Sequence, residues 1–335
     1  MNVLDRSIMK TLIADNFSIV KKFTIEKLLI QREASVAFAL ILLCIILGTL
    51  TPTFLTSYNL LNVARQISLY AIIAVGETFV ITSGGIDLSV GAVLALAGVI
   101  TTLISLNGID PWIAVFVGLL VGIGCGYTNG FLISKARINP FIVTLGMLNI
   151  ARGIVLVITR GYPIPIYAGP VVYFGQGYIG PIPVPVIFML IIGVIGIILL
   201  RNTILGNYVK ALGSNEPAAR AMGINVERIK AITYTLAGFL SGLAGVVLAG
   251  RLSAGQPNAG IGWELDCIAA VIIGGTSLTG GEGSVIGTLI GATLLGVIRN
   301  GLVLVGVSMY WQTVVIGLIL IGGVALDRFT KARSE

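Results

Sequence analysis

Two polar interruptions break an otherwise apolar chain: Ser83-Gly84-Gly85-Ile86-Asp87-Leu88-Ser89-Val90-Gly91 and Gly274-Gly275-Thr276-Ser277-Leu278-Thr279-Gly280-Gly281-Glu282-Gly283-Ser284. Each sets a glycine pair, hydroxyls and a carboxylate between apolar stretches. That composition suits backbone that leaves the helix where it is buried in protein or lines an aqueous cavity. Gly84, Gly85, Asp87, Ser89, Gly274, Gly275, Thr276 and Ser277 are therefore candidates for a translocation path or gate. A plainer reading makes Asp87 and Ser284 N-caps of the helices that follow, and a capped helix can still face a pore. Both segments continue into a helix beginning near Ser-Val, which hints at an internal duplication with the two copies placed in parallel.

Ionisable groups inside apolar stretches are costly and point to function or to pairing. Glu77 with Arg152, which Asn149 precedes by one turn, forms one expected pair, and Asp266 with Arg299 another. Enzymatic chemistry finds little support. The chain has no histidine, the commonest general base and metal ligand. Asp87 and Asp266 lack the Tyr-Asp or Gly-x-Gly-Asp setting of intramembrane aspartyl proteases, and no Gly-x-x-x-x-Gly-Lys-[Ser/Thr] loop exists to bind a nucleotide. Cys44, Cys125 and Cys267 stand alone in apolar runs and read as small hydrophobes. No metal and no cofactor is expected.

The elements that must hold these residues are transmembrane helices. Of 335 residues, 56% are hydrophobic and 10% charged, against roughly 25% charged in soluble domains, and the mean hydropathy is +1.02. The absence of alternation in Ile187–Leu200 excludes a β-barrel. The expected fold is an all-α polytopic membrane protein of about ten spans, near 34–54, 67–83, 90–106, 112–133, 140–158, 184–200, 231–250, 264–275, 284–305 and 309–326, with broken or re-entrant chain near 84–91 and 274–284. Residues 1–33 read as a cytoplasmic arm, 34–327 as the transmembrane domain and 328–335 as a cytoplasmic tail.

Net charge is +7, yet the basic residues form no single patch for nucleic acid. Sixteen of the 21 fall in the arm, the tail and the loops after the fourth and sixth spans. By the positive-inside rule these lie in the cytoplasm with both termini. The Pro- and Gly-rich loop 159–185 is then external and expected to be irregular. The loop 201–230 is internal, with a short helix starting at Ser214-Asn215-Glu216-Pro217 and stopping at Met222-Gly223.

These residues resemble a known family, the membrane permeases of ATP-binding-cassette importers for monosaccharides, of the ribose type. The matching words are Gly85-Ile86-Asp87-Leu88-Ser89-Val90-Gly91, Ala221-Met222-Gly223-Ile224-Asn225, Gln256-Pro257-Asn258-Ala259-Gly260, Glu264-Leu265-Asp266, Gly274-Gly275-Thr276-Ser277-Leu278 and Asn300-Gly301-Leu302, in the family's order from about 50 to 327. The resemblance implies a homodimer of permeases in the bacterial inner membrane enclosing a central path. It also implies an ATPase with tandem nucleotide-binding halves docked inside and a periplasmic sugar-binding protein docked outside. Glu216, Ala218, Ala219, Arg220 and Gly223 look like the Glu-Ala-Ala coupling loop of such importers, from which Pro217 departs. A neutral sugar needs polar wetting along its route, for which Glu77, Thr78, Thr82, Asn129, Asn149 and Asn300 are candidates.

A secondary transporter coupled to ions through Glu77 or Asp87 is the alternative. Ribose leads among sugars by resemblance, with xylose, galactose or a ribose-like signalling sugar chemically close, and related permeases carry nucleosides or branched-chain amino acids.

Overall fold

A computed structural model describes residues 32–167, 169–308, 310–318 and 321–322 of the chain. In chain order its helices are α1 (Arg32–Leu50), α2 (Ser57–Thr82), α3 (Val90–Leu106), α4 (Pro111–Ser134), α5 (Pro140–Thr159), α6 (Pro170–Gln176), α7 (Val184–Asn202), α8 (Ile204–Ser214), α9 (Glu216–Ala221), α10 (Val226–Leu252), α11 (Trp263–Ile273) and α12 (Val285–Leu304). Two-residue strands complete it: β1 (Ile164–Pro165) pairs antiparallel with β4 (Ala254–Gly255), and β2 (Tyr178–Ile179) with β3 (Ile182–Pro183).

Among the described residues, seven helices are long and apolar enough to cross a membrane, and α3 is a shorter apolar helix of 17 residues. Several boundaries differ from expectation. The second span begins ten residues earlier, because Thr56 caps α2 through a bond from the Asn59 amide. The segment expected at 264–275 is the 11-residue α11, too short for a straight crossing of about 20 residues. Residues 1–31 of the expected arm 1–33 and all of the expected tail 328–335 lie outside the described residues, and the expected span at 309–326 only partly inside them.

α2 and α10 form the buried centre. α10 meets α4 along glycines: a Cβ on Gly126 would lie 3.0 Å from Gly238 Cα, and one on Gly122 would lie 2.9 Å from Gly242 Cα. Small residues let helix backbones touch where lipid gives no hydrophobic drive to pack. Asp266 and Arg299 join α11 to α12 as expected, with Arg299 Nη2 donating to both carboxylate oxygens at 2.6 and 2.7 Å.

The loop 159–185 is less irregular than its prolines suggest. Pro170 has its φ preset for a first helical turn, so α6 forms and seats Gly175 against α10. Its Gln176 side chain donates to the carbonyls of Gly250 and Arg251 at 3.1 and 3.2 Å.

Candidate functional site

The two glycine-rich segments, distant in sequence, meet at the C-terminal end of α8. A Cβ on Gly280 would lie 3.0 Å from both Gly213 Cα and Gly84 Cα, so at this junction only glycines allow the approach. The Gly281 amide donates to the Thr82 carbonyl at 2.9 Å, tying the second segment to the end of α2. Gly84, Gly275, Gly280 and Gly281 all have positive φ, which glycine adopts without a Cβ penalty. Gly274 packs directly on Gly287 at the start of α12.

Asp87 does not cap α3. Ser89 occupies the N-cap, and Asp87 Oδ1 accepts from the Ser89 amide at 2.8 Å and from its hydroxyl at 2.6 Å. The aspartate thus closes a side-chain turn two residues upstream, because the chain turns before it starts the helix. Asn129 of α4 donates to Ser89 Oγ at 3.0 Å and to Asp87 Oδ2 at 3.5 Å. Ser284 is the N-cap of α12 as expected, accepting from the Gly287 amide at 3.0 Å.

The expected Glu77–Arg152 pair does not form. Glu77 points into the packed centre from α2, where neither of its carboxyl oxygens has a hydrogen-bond partner. Arg152 instead donates from Nη1 to the carbonyls of Pro257 and Ala259, both at 2.8 Å. Thr78 and Thr82 are fully buried, and the Thr78 and Thr288 hydroxyls share a hydrogen bond of 2.7 Å. Asn300 exchanges side-chain bonds with Asn59 at 3.0 and 2.9 Å. Thr276 accepts from the Ser284 amide at 3.2 Å, while the Ser277 amide donates to the Glu282 carbonyl at 3.1 Å. Asn149 stands apart from all of these. It is exposed on α5, with its amide donating to Leu145 of its own helix.

Sequence reasoning missed the segment that Arg152 holds. Between α10 and α11, residues 253–262 run outside helix along α3. A Cβ on Gly255 would lie 2.9 Å from Val99 Cα, and one on Gly260 would lie 3.1 Å from Gly91 Cα. That is a descent of about 12 Å at the helical rise. At its foot Trp263 stacks on Tyr70, near the middle of α2, with centroids 4.2 Å apart. The signal was present in Gln256-Pro257-Asn258-Ala259-Gly260, whose polar, Pro and Gly content sits badly in a continuous span.

Beside the glycine junction, α9 is built as its sequence specifies. Asn215 caps it by accepting from the Ala218 amide at 2.9 Å, Pro217 lies in the first turn, and Gly223 follows with φ +83°. Burial works to raise the Glu216 carboxyl, but Lys230 Nζ at 2.7 Å and Arg220 Nη2 at 3.5 Å outweigh it and hold the group below its ordinary value. Arg220 also bonds Glu227 at 2.6 Å. Ala219 is buried, while Ala218, Met222 and Gly223 are exposed. A cleft of ≈ 470 Å³ lined by Arg137, Pro140, Glu216, Arg220 and Lys230, among others, opens at the base of α9.

Comparison with known proteins agrees with this architecture. Residues 59–324 match the family described as branched-chain amino acid transport system / permease component. The chain is 47% identical over 305 residues to the ribose import permease protein RbsC of Bacillus subtilis (strain 168), covering 90% of this chain and 95% of that one. It is 44% identical to the RbsC of Escherichia coli (strain K12), over 88% and 93% of the two chains. It is 42% identical to the D-allose transport system permease protein AlsC of the same strain, over 87% and 90%. No solved structure matches. With helices long and apolar enough to span a bilayer and a family match over most of its length, this chain belongs to the branched-chain amino acid transport system / permease component family.

Proposed function

We propose that the chain is the transmembrane permease subunit of an ATP-driven importer for a monosaccharide, ribose or a close analogue. The observation that carries this reading is the match along nearly the whole chain to import permeases named for ribose and allose. With no nucleotide-binding loop in the sequence, ATP hydrolysis belongs to a separate ATPase, with tandem nucleotide-binding halves. A periplasmic sugar-binding protein delivers the solute, and a second permease completes a homodimer in the bacterial inner membrane. The chain crosses about ten times with both termini in the cytoplasm, and the charge distribution supports that sidedness.

In this reading α9 is the coupling helix. Exposed Ala218, Met222 and Gly223 meet the ATPase, with Glu216 and Arg220 anchoring the helix to α10. Movement of α9 passes through Ser214 and Gly213 into the junction of Gly84, Gly280 and Gly281, and so reaches both candidate gate segments. Gly85, Asp87, Ser89, Gly274, Gly275, Thr276 and Ser277 shape those segments. Glu77, Thr78, Thr82 and Asn129 lie near them as buried polar support, while Asn300 pairs with Asn59 at the other end of α2.

The test is radiolabelled ribose uptake into vesicles holding the permease, its ATPase and external binding protein. Uptake should need all three components and ATP. Gly223→Pro, which cannot keep φ +83°, should leave the permease inserted yet abolish uptake. Ribose entry without ATPase or binding protein would favour an ion-coupled secondary transporter.

A further inference from the structure

The cations on the two sides of the glycine junction are placed differently. Beside α9, Lys230 and Arg220 are paired with Glu216 and Glu227. Across the junction, Arg201 and Lys210 line a cleft of ≈ 480 Å³, and among the described residues neither side chain has an ion pair or a hydrogen-bond partner. A tight corner brings them together. Arg201 is the last residue but one of α7, Thr203 caps α8 by accepting from the Gly206 amide at 3.3 Å, and Lys210 follows within α8. That helix buries Gly206, Val209 and Leu212 and exposes Ile204 and Tyr208. An amphipathic helix at the foot of a spanning one suits the membrane interface.

The facing wall is the second glycine-rich segment, through Gly274, Gly275, Glu282 and Gly283. Glu33, from the start of α1, also lines the cleft, and the Ser284 hydroxyl donates to its carboxylate. Ile197, Leu200 and Ile286 supply apolar surface. One cleft, within the roughly 300–1,000 Å³ of small-molecule sites, therefore holds two cations, two carboxylates and an apolar side. A metal ion would meet the cations, and a polyphosphate the carboxylates. A ligand that carries both signs and an apolar tail answers all three features.

We propose that this cleft holds the headgroup of a phosphatidylethanolamine from the adjoining leaflet. The phosphate meets Arg201 and Lys210, as lipid headgroups do in basic pockets between spanning helices. An ammonium donates three hydrogen bonds, which Glu33 and Glu282 accept. The acyl chains leave past Ile197 along α7, whose exposed Leu190, Ile191, Val194 and Ile198 form an apolar face. Phosphatidylcholine offers no N–H to the carboxylates, and phosphatidylglycerol offers no cation. Because the occupant touches Gly274, Gly275 and Gly283, it ties the α7–α8 corner to a candidate gate segment. The inference needs a chain that spans a membrane and is independent of the solute carried.

The test uses the full-length permease, stripped of native lipid and incubated with phosphatidylethanolamine, phosphatidylcholine or phosphatidylglycerol of the same acyl chains. Native mass spectrometry counts the lipid retained. Wild type should retain phosphatidylethanolamine on the order of tenfold better than the other two, the scale of one charge-assisted hydrogen bond. Arg201→Gln and Lys210→Gln should each remove that preference while melting like wild type in detergent alone, and Lys210→Arg should keep it. Arg228→Gln, an equal loss of charge on the exposed first turn of α10 outside the cleft, should also keep it. Equal retention of all three lipids, stronger retention of phosphatidylglycerol, or a preference that survives both Gln variants overturns the proposal. Displacement of the lipid by glycerophosphoethanolamine at matched concentration also overturns it, in favour of a soluble phosphate ester.

Discussion

Glycine serves opposite purposes on α4 and α5. Along the seam of α4 with α10, Gly122, Gly126 and Gly238 bring two backbones into contact, and a Cβ on Gly238 would sit 2.7 Å from Gly126 Cα. On the outer face of α5, Gly146 and Gly153 touch nothing in their own chain and flank an exposed Asn149. Where a glycine stands against another backbone it lets the fold close. Where it stands in open space beside a polar side chain, its reason lies outside the chain. The same residue type therefore marks both a seam that holds the bundle together and an outer face where nothing in the chain packs against it.

The seam should fail first. Gly238→Leu forces a side chain into the α4 backbone, beyond the roughly 1–3 kcal/mol of tolerated overpacking, and little folded permease should be recovered by size-exclusion chromatography in detergent. If Gly238→Leu folds with wild-type thermal stability, the seam is looser than described.

Arg152→Met should come next. It removes two charge-assisted bonds of about 1.5–3 kcal/mol each from the Pro257–Ala259 segment. Permease should still assemble with its ATPase, but hydrogen exchange across residues 253–262 should rise and uptake should fall severalfold or more. Arg152→Lys should recover part of both.

On the α5 face, Asn149→Leu and Gly153→Leu should keep or raise thermal stability, because both sites are exposed within the chain and Leu is the better helix former. Uptake per folded molecule should drop sharply in both. The smallest effect belongs to Ile195→Ala on the exposed apolar side of α7, expected within about 0.5 kcal/mol in stability, as for exposed substitutions generally, with normal uptake.

Much of this was legible in the residues. Apolar run lengths marked most of the spanning helices, and Asn215-Glu216-Pro217 marked the start of α9 through the local chemistry of its cap. The Asp266–Arg299 pair followed from two opposite charges in apolar sequence. Glu77 and Arg152 looked alike on those grounds but do not meet, because partner choice depends on helix rotation, which one chain's composition does not encode. Asp87 was misplaced as a cap for a related reason. Asp and Ser both suit that position, and the backbone turn decided between them. The meeting of Gly84 with Gly280 at Gly213 depends on tertiary packing across more than a hundred residues, and no local pattern announces it.

The sharpest prediction of the proposed homodimer is that the α5 face carrying Asn149 turns toward the partner copy and the apolar α7 face away from it. Paired spin labels in the reconstituted importer test it most directly, through dipolar distances between the two copies at Asn149→Cys and at Ile195→Cys. The account predicts that the Asn149 labels lie closer together across the twofold axis, with the Ile195 labels well apart on the lipid-facing flanks. A shorter distance at Ile195 than at Asn149, or no coupling at either position, would contradict it.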